Sequence, residues 1–100
     1  MRYLTVAADY TQSCLRDDFE GPIQPESLGL PADLCSALRS WNEAYRRVIP
    51  MDEEERSDAE IAALICQLDE QGRDMASRVQ QVAGEAKVRY FSEGELRYLC

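Results

Sequence analysis

Apolar positions recur along the chain with two different periods, and the switches between them divide it into elements. In residues 2–9, Leu4, Val6 and Ala8 alternate with Tyr3, Thr5 and Ala7, the two-residue period of a β-strand. Both sets are largely apolar, which fits a strand flanked by other elements rather than one at a solvent edge. Residues 10–30 then show no period. Gly21, Pro22, Pro25 and Gly29 interrupt regular structure there, and so long a loop inside a compact domain is uncommon and often functional. Around residues 13–16 this stretch offers a short edge strand.

From Pro31 the period changes. Leu34, Leu38, Trp41, Tyr45 and Val48 recur every three or four residues, the stripe of an amphipathic helix. Pro31 suits its first position and Asp33 its first turn, while Arg46 and Arg47 suit the negative end of the dipole and Pro50 stops it. The helix is expected to run to about Ile49. A second begins at Ser57-Asp-Ala-Glu60, a capping-box pattern. Its stripe is Ile61, Leu64, Ile65, Leu68, Met75, Val79 and Val82, and Gly84 follows as the C-terminal cap. Gly72 falls on that stripe, where a helix-interior glycine costs about 1 kcal/mol relative to alanine. Close approach of another element, or a kink, would account for it.

Residues 86–91 alternate like a strand again. Ser92-Glu-Gly-Glu95 reads as a turn, and Leu96-Arg-Tyr-Leu99 as the returning strand of a hairpin. The order is therefore β, long loop, α, α, β, β, within one domain spanning residues 1–100. A helical hairpin returns the chain to the end where it left the first strand. The terminal strands are then expected to lie side by side and antiparallel. The fold class is α/β: a two-layer sandwich in which a small antiparallel sheet is covered by a helical hairpin.

Charge changes the picture of what such a domain can do. Eleven Lys and Arg against nineteen Asp and Glu leave a net charge of −8. That balance opposes binding to phosphate backbones or anionic membranes and favours cationic partners. The chain has no histidine, so the usual general base and the commonest metal ligand are missing. Cys14, Cys35, Cys66 and Cys100 form no Cys-x-x-Cys pair, which argues against a zinc site. With no secretory pattern in residues 1–9, they read as free thiols in a reducing cytoplasm. Cys35 and Cys66 fall within the two helices as core or boundary residues. No phosphate-binding loop occurs, and no cofactor is expected.

What remains is acidic. Asp17, Asp18 and Glu20 stand close together in the long loop, with Asp9 and Glu26 as possible neighbours. Asp52, Glu53, Glu54 and Glu55 join the helices, and the proposed topology puts Glu93 and Glu95 at that same end. Both groups are candidate partner-binding sites. For residues 52–55 the competing explanation is local, because carboxylates ahead of a helix stabilise its dipole. Trp41 and Tyr45, one turn apart, read as core.

The segments Leu28-Gly-Leu-Pro-Ala-Asp-Leu34, Leu38-Arg-Ser-Trp-Asn-Glu-Ala-Tyr45, Leu68-Asp-Glu-Gln-Gly-Arg-Asp-Met-Ala76 and Val88-Arg-Tyr-Phe-Ser-Glu-Gly94 give the chain a familiar look. It resembles the small acidic immunity proteins of bacterial polymorphic toxin and contact-dependent inhibition systems. The resemblance implies a non-enzymatic cytoplasmic protein that neutralises one cognate toxin, commonly a nuclease, and it carries over no site residue. A basic nuclease would suit an acidic inhibitor, since complementary potentials raise association rates. The alternative is a structural or regulatory module that pairs with a second copy. A metalloenzyme built on loop carboxylates is the third reading.

Overall fold

The computed structural model describes residues 2–10 and 13–99. Five strands form one sheet in the order β3-β2-β1-β4-β5: β1 is Tyr3–Val6, β2 Leu15–Asp17, β3 Gly21–Pro22, β4 Lys87–Ser92 and β5 Arg97–Leu99. A 3₁₀ turn at Pro25–Leu28 leads into α1, Ala32–Tyr45; α2 is a single turn, Glu53–Arg56, and α3 runs Ala59–Ala83. At 1.5 Å per residue α3 is about 37 Å long, close to the 39 Å long dimension of the molecule. The helices and the sheet make the two layers of a small α/β sandwich, as the pattern implied.

The core lies between those layers. Leu4 and Val6 of β1, Leu15 of β2 and Tyr90 of β4 point into it, meeting Leu34, Leu38, Trp41 and Tyr45 of α1 and Ile65, Leu68, Met75 and Val79 of α3. Trp41 and Tyr45 are core residues, as expected. Val82, assigned to the stripe, is exposed. Tyr3, Lys87, Arg89 and Tyr98 are exposed on the opposite face of the sheet, which is left open.

The central pairing departs from expectation: β1 and β4 are parallel, with Tyr3 beside Lys87 and Val6 beside Tyr90. The sheet is thus mixed rather than antiparallel. The helical hairpin does return the chain to the end where it was entered, but that end is the opposite one. Asp33 of α1 reaches Arg78 in the last part of α3, and Gln80 bonds the backbone of Val88 where β4 starts. At the other end, Tyr45 meets Gly94 beyond β4. The loop of residues 10–31 reverses direction through β2 and β3 and then crosses back before α1 begins. An odd number of reversals turns the expected antiparallel neighbour into a parallel one. The strand foreseen around residues 13–16 is β2, and β3 rather than β2 forms the edge.

Helix ends also follow local chemistry. Pro31 caps α1 instead of opening it, and the helix gives way after Tyr45 to tighter turns. Ser57 ends α2, so Asp58 caps α3, its carboxylate accepting from the N–H groups of Glu60 and Ile61. Gly84 ends α3 with a positive φ of 64°, which favours glycine.

A buried carboxylate joins the layers. Asp69, 4% exposed on α3, accepts hydrogen bonds from the hydroxyls of Tyr45 at 2.8 Å, Tyr90 at 2.6 Å and Ser92 at 2.7 Å. Two of these hydroxyls accept in turn from the β4–β5 turn: Tyr45 from the N–H of Gly94, Ser92 from that of Glu95. Burial drives the ionisation of both tyrosines well above the usual range, with the Asp69 carboxylate adding to the effect. Trp41 donates to the Leu68 carbonyl one residue away and lies 5.9 Å from the Tyr90 ring.

Gly72 is explained by the same cluster. A β-carbon there would stand 2.6 Å from Cζ and 2.7 Å from Oη of Tyr90, so the close approach is by a strand's side chain. That ring is fixed by Asp69 and Trp41 and cannot swing aside. Gly72→Ala is therefore expected to lower the melting temperature: overpacking of about 1–3 kcal/mol outweighs the roughly 1 kcal/mol gain in helix propensity. Asp69→Ala leaves three buried hydroxyls without their acceptor, at about 1–3 kcal/mol each. Calorimetry should show its melting temperature falling by roughly 10 °C or more.

Candidate functional site

The loop acids Asp17, Asp18 and Glu20 form the β2–β3 turn, but they have different surroundings. Asp17 is 4% exposed and holds the turn from inside. Its Oδ1 accepts from the N–H groups of Phe19 at 2.9 Å and Glu20 at 3.1 Å, and its Oδ2 from Arg2 Nε at 3.1 Å. Those backbone donors, helped by Arg2, hold its carboxyl below the usual range despite burial. Asp18 lies across the open sheet face, accepting from Thr5 Oγ1 at 2.7 Å and Arg89 at 2.7 Å. Glu20 is exposed. Between them Phe19 is 82% exposed, the most open large apolar side chain described. Glu26 instead pairs with Arg39.

The second acidic group lies at the far end of the sheet, and it divides. Asp52 caps α2 and shares a capping box with Glu55, whose N–H donates to Asp52 Oδ1 at 2.8 Å. The local explanation for these two acids is thus present. Glu53 and Glu95 face one shallow groove of about 570 Å³, which Met51, Arg56 and Leu96 also line. Glu54 is exposed on α2. Glu93 turns toward the open face, near Asp9 and Arg16. Burial raises its carboxyl above the ordinary value, Asp9 adds to this, and Arg56 and Arg16 oppose it.

Arg56 holds this end together. Its guanidinium donates to the carbonyls of Val48, Ile49, Met51, Glu93 and Gly94, tying the end of α1 to the β4–β5 turn. The planar fork of five donors suits such a ring of acceptors. Because β1 and β4 are parallel, the β2–β3 turn beside Tyr3 and the turn after Ser92 lie at opposite ends of the sheet. Six residues of β4 at about 3.3 Å each put the two acidic groups roughly 20 Å apart.

Two of the three described thiols are built into the core. Cys14 and Cys35 are buried and donate to the carbonyls of Leu38 and Leu30, and burial pushes the Cys14 thiol up to about 11. Cys66 is exposed. Cys100 lies outside the described residues. Among the described residues no group of three or more metal-binding side chains converges, and no helix is long and apolar enough to cross a membrane.

Three residues that shape these surfaces were passed over in the sequence: Asp69, Phe19 and Arg56. Asp69 had a signal, since it lies one turn beyond Ile65 on the apolar stripe of α3. Phe19 had a weaker one, as an aromatic between two acids in a turn.

The molecule is thus a helix-backed α/β frame that displays acids at both ends of an open sheet face. The chain belongs to the family described as Serratia CdiI immunity protein-like, whose model matches residues 2–93. The family supports an immunity role and a cognate toxin as partner. None of the curated proteins matches the chain.

Glu93 provides a test of the electrostatics at the far end. A carboxyl whose value is raised on folding contributes stability below its ordinary value, near 4.5, and loses it as pH rises through the raised value. Glu93→Gln should therefore melt higher than the parent protein at pH 7, and the difference should close below about pH 4. Thermal unfolding across that range reads it directly.

Proposed function

We propose that this protein protects its host by binding one cognate toxin domain in the cytoplasm, and that the toxin is a basic nuclease. The observation that supports this is the net charge of −8 on a chain of this family. Nucleases that hold phosphate backbones carry cationic grooves, and an acidic inhibitor is drawn to such a groove over the distance at which like-charged proteins repel. The role is non-catalytic: the protein occupies a surface that the toxin needs.

Of the candidate acids, Asp18 and Glu20 at one end and Glu53, Glu54, Glu93 and Glu95 at the other contribute to recognition. Asp17, Asp52 and Glu55 act indirectly, by shaping the turn and the short helix that present them. Exposed charges act mainly on encounter, so their removal slows association more than it hastens dissociation.

The test is co-expression with the cognate toxin domain, to be sought in the neighbouring gene. Cells expressing it are expected to survive only when the protein is co-expressed. In stopped-flow mixing, raising salt from about 50 to 500 mM shortens the Debye length from roughly 14 to 4 Å and should slow association at least about tenfold. Glu20→Gln and the triple change Glu53→Gln, Glu54→Gln, Glu95→Gln should each flatten that dependence, the set nearer the interface more. Protection with no salt dependence would remove the basic partner while leaving the immunity role.

A further inference from the structure

The net charge of −8 is not spread evenly over the chain. Residues 51–60 and 94–97 carry seven acids against two arginines, a net charge of −5 in fourteen residues. Counting Arg46 and Arg47 of the preceding turns still leaves −3. The two segments meet in space, because Arg56 of α2 donates to the carbonyls of Glu93 and Gly94 in the β4–β5 turn. Neither arginine offers a donor to an anion from outside. All five N–H groups of Arg56 go to backbone carbonyls, and Arg97 pairs with Glu95. The open sheet face has the opposite balance, with Arg16, Lys87 and Arg89 against Asp18. A cationic partner is therefore drawn to the end of the molecule that α2 and the β4–β5 turn form.

An apolar anchor stands among these acids. Leu96 is 64% exposed and, with half-buried Met51, lines the groove of about 570 Å³ that Glu53 and Glu95 also face. Glycines apart, it alone among the described residues has a positive φ, 57°. A bulky side chain seldom adopts that conformation, and such strain persists only where the surroundings impose it. Here they do. The N–H of Gly94 donates to Tyr45 and that of Glu95 to Ser92, and a β-carbon at residue 94 would run into Ile65 and Tyr45. The turn is seated on the core, so Leu96 is held outward on a rigid support and little ordering remains for binding to do. An apolar centre inside a charged rim is the ordinary anatomy of a protein interface.

We propose that the groove between α2 and the β4–β5 turn is the docking surface for the cognate toxin domain, with Leu96 entering an apolar recess whose lysine and arginine rim pairs with Glu53 and Glu95. The proposal rests on the immunity reading and its basic partner, and adds the place of contact. Asp18 and Glu20, roughly 20 Å away along the sheet, then act on the approach alone. A second copy of this chain is a poor occupant, since two such ends repel each other.

The experiment measures association and dissociation rates on surface-immobilised full-length variants. Its probe is the domain from the neighbouring gene against which the parent protein protects cells. Leu96→Asn removes the anchor with a residue that tolerates positive φ, so it should melt no lower than the parent. It should nevertheless dissociate about thirtyfold faster or more, the size of an interface hot spot. Glu53→Lys and Glu20→Lys change the net charge equally and separate contact from steering. Glu53→Lys places like charges together and should speed dissociation about tenfold or more, whereas Glu20→Lys should slow association and leave dissociation at the parent rate. Parent-like dissociation of Leu96→Asn and Glu53→Lys overturns the proposal and leaves the immunity reading standing. Faster dissociation of Glu20→Lys alone puts the contact at the opposite end and overturns it too. Failure of the parent protein to bind or protect overturns both readings. Sedimentation of the parent as a dimer that Leu96→Asn dissociates would assign the groove to a second copy and overturn the proposal as well.

Discussion

The Asp69 carboxylate is the constraint on which the rest of the architecture depends. A carboxylate excluded from water must be fully hydrogen-bonded, because leaving it bare costs more than any packing around it returns. Three hydroxyls meet that need here, and they come from α1 and β4. The geometry that satisfies Asp69 therefore fixes how the helices sit on the sheet. It also selects Gly72 one turn later, since only a residue without a side chain leaves room for the Tyr90 ring. The β4–β5 turn hangs from the same network through Tyr45 and Ser92. An all-apolar core of equal volume would tolerate sliding between layers; directional bonds do not.

Much of the fold was legible because the apolar periods are strong. The stripe through Leu34, Leu38, Trp41 and Tyr45 and that through Ile65, Leu68, Met75 and Val79 locate both long helices, and the alternation at residues 86–91 locates β4 to within one residue. Direction was not legible. The sense of β4 relative to β1 depends on how often the loop of residues 10–31 reverses, and β2 and β3 are three and two residues long, too short to show a period. Caps slipped by one residue where two acceptors compete, as with Ser57 and Asp58.

The candidate surfaces were legible as clusters of charge and illegible as geometry. Sequence proximity joined Asp17, Asp18 and Glu20, yet a turn sends neighbouring side chains in different directions: one inward to Arg2 and the backbone, one across the sheet to Arg89, one to solvent. Likewise Glu93 and Glu95, two residues apart, diverge where strand gives way to turn. Charge run and binding surface are separate properties. The open sheet face was invisible to any pattern along the chain, because it is assembled from four strands and a turn that the sheet alone brings together.

The parallel pairing of β1 with β4 also has a temporal consequence. Tyr3 lies beside Lys87, so β1 waits until synthesis has passed both long helices before its central partner exists. At about 5–20 residues per second that delay is several seconds on the ribosome. Until then Leu4, Val6 and Leu15 have the β1–β2 hairpin and the helices to pack against but no central strand, and closing so long a loop is among the slower steps a small domain can require. The sheet centre, with the surfaces it carries, is thus completed only after both long helices have been made. A partner arriving earlier meets helices and a hairpin, but no finished face.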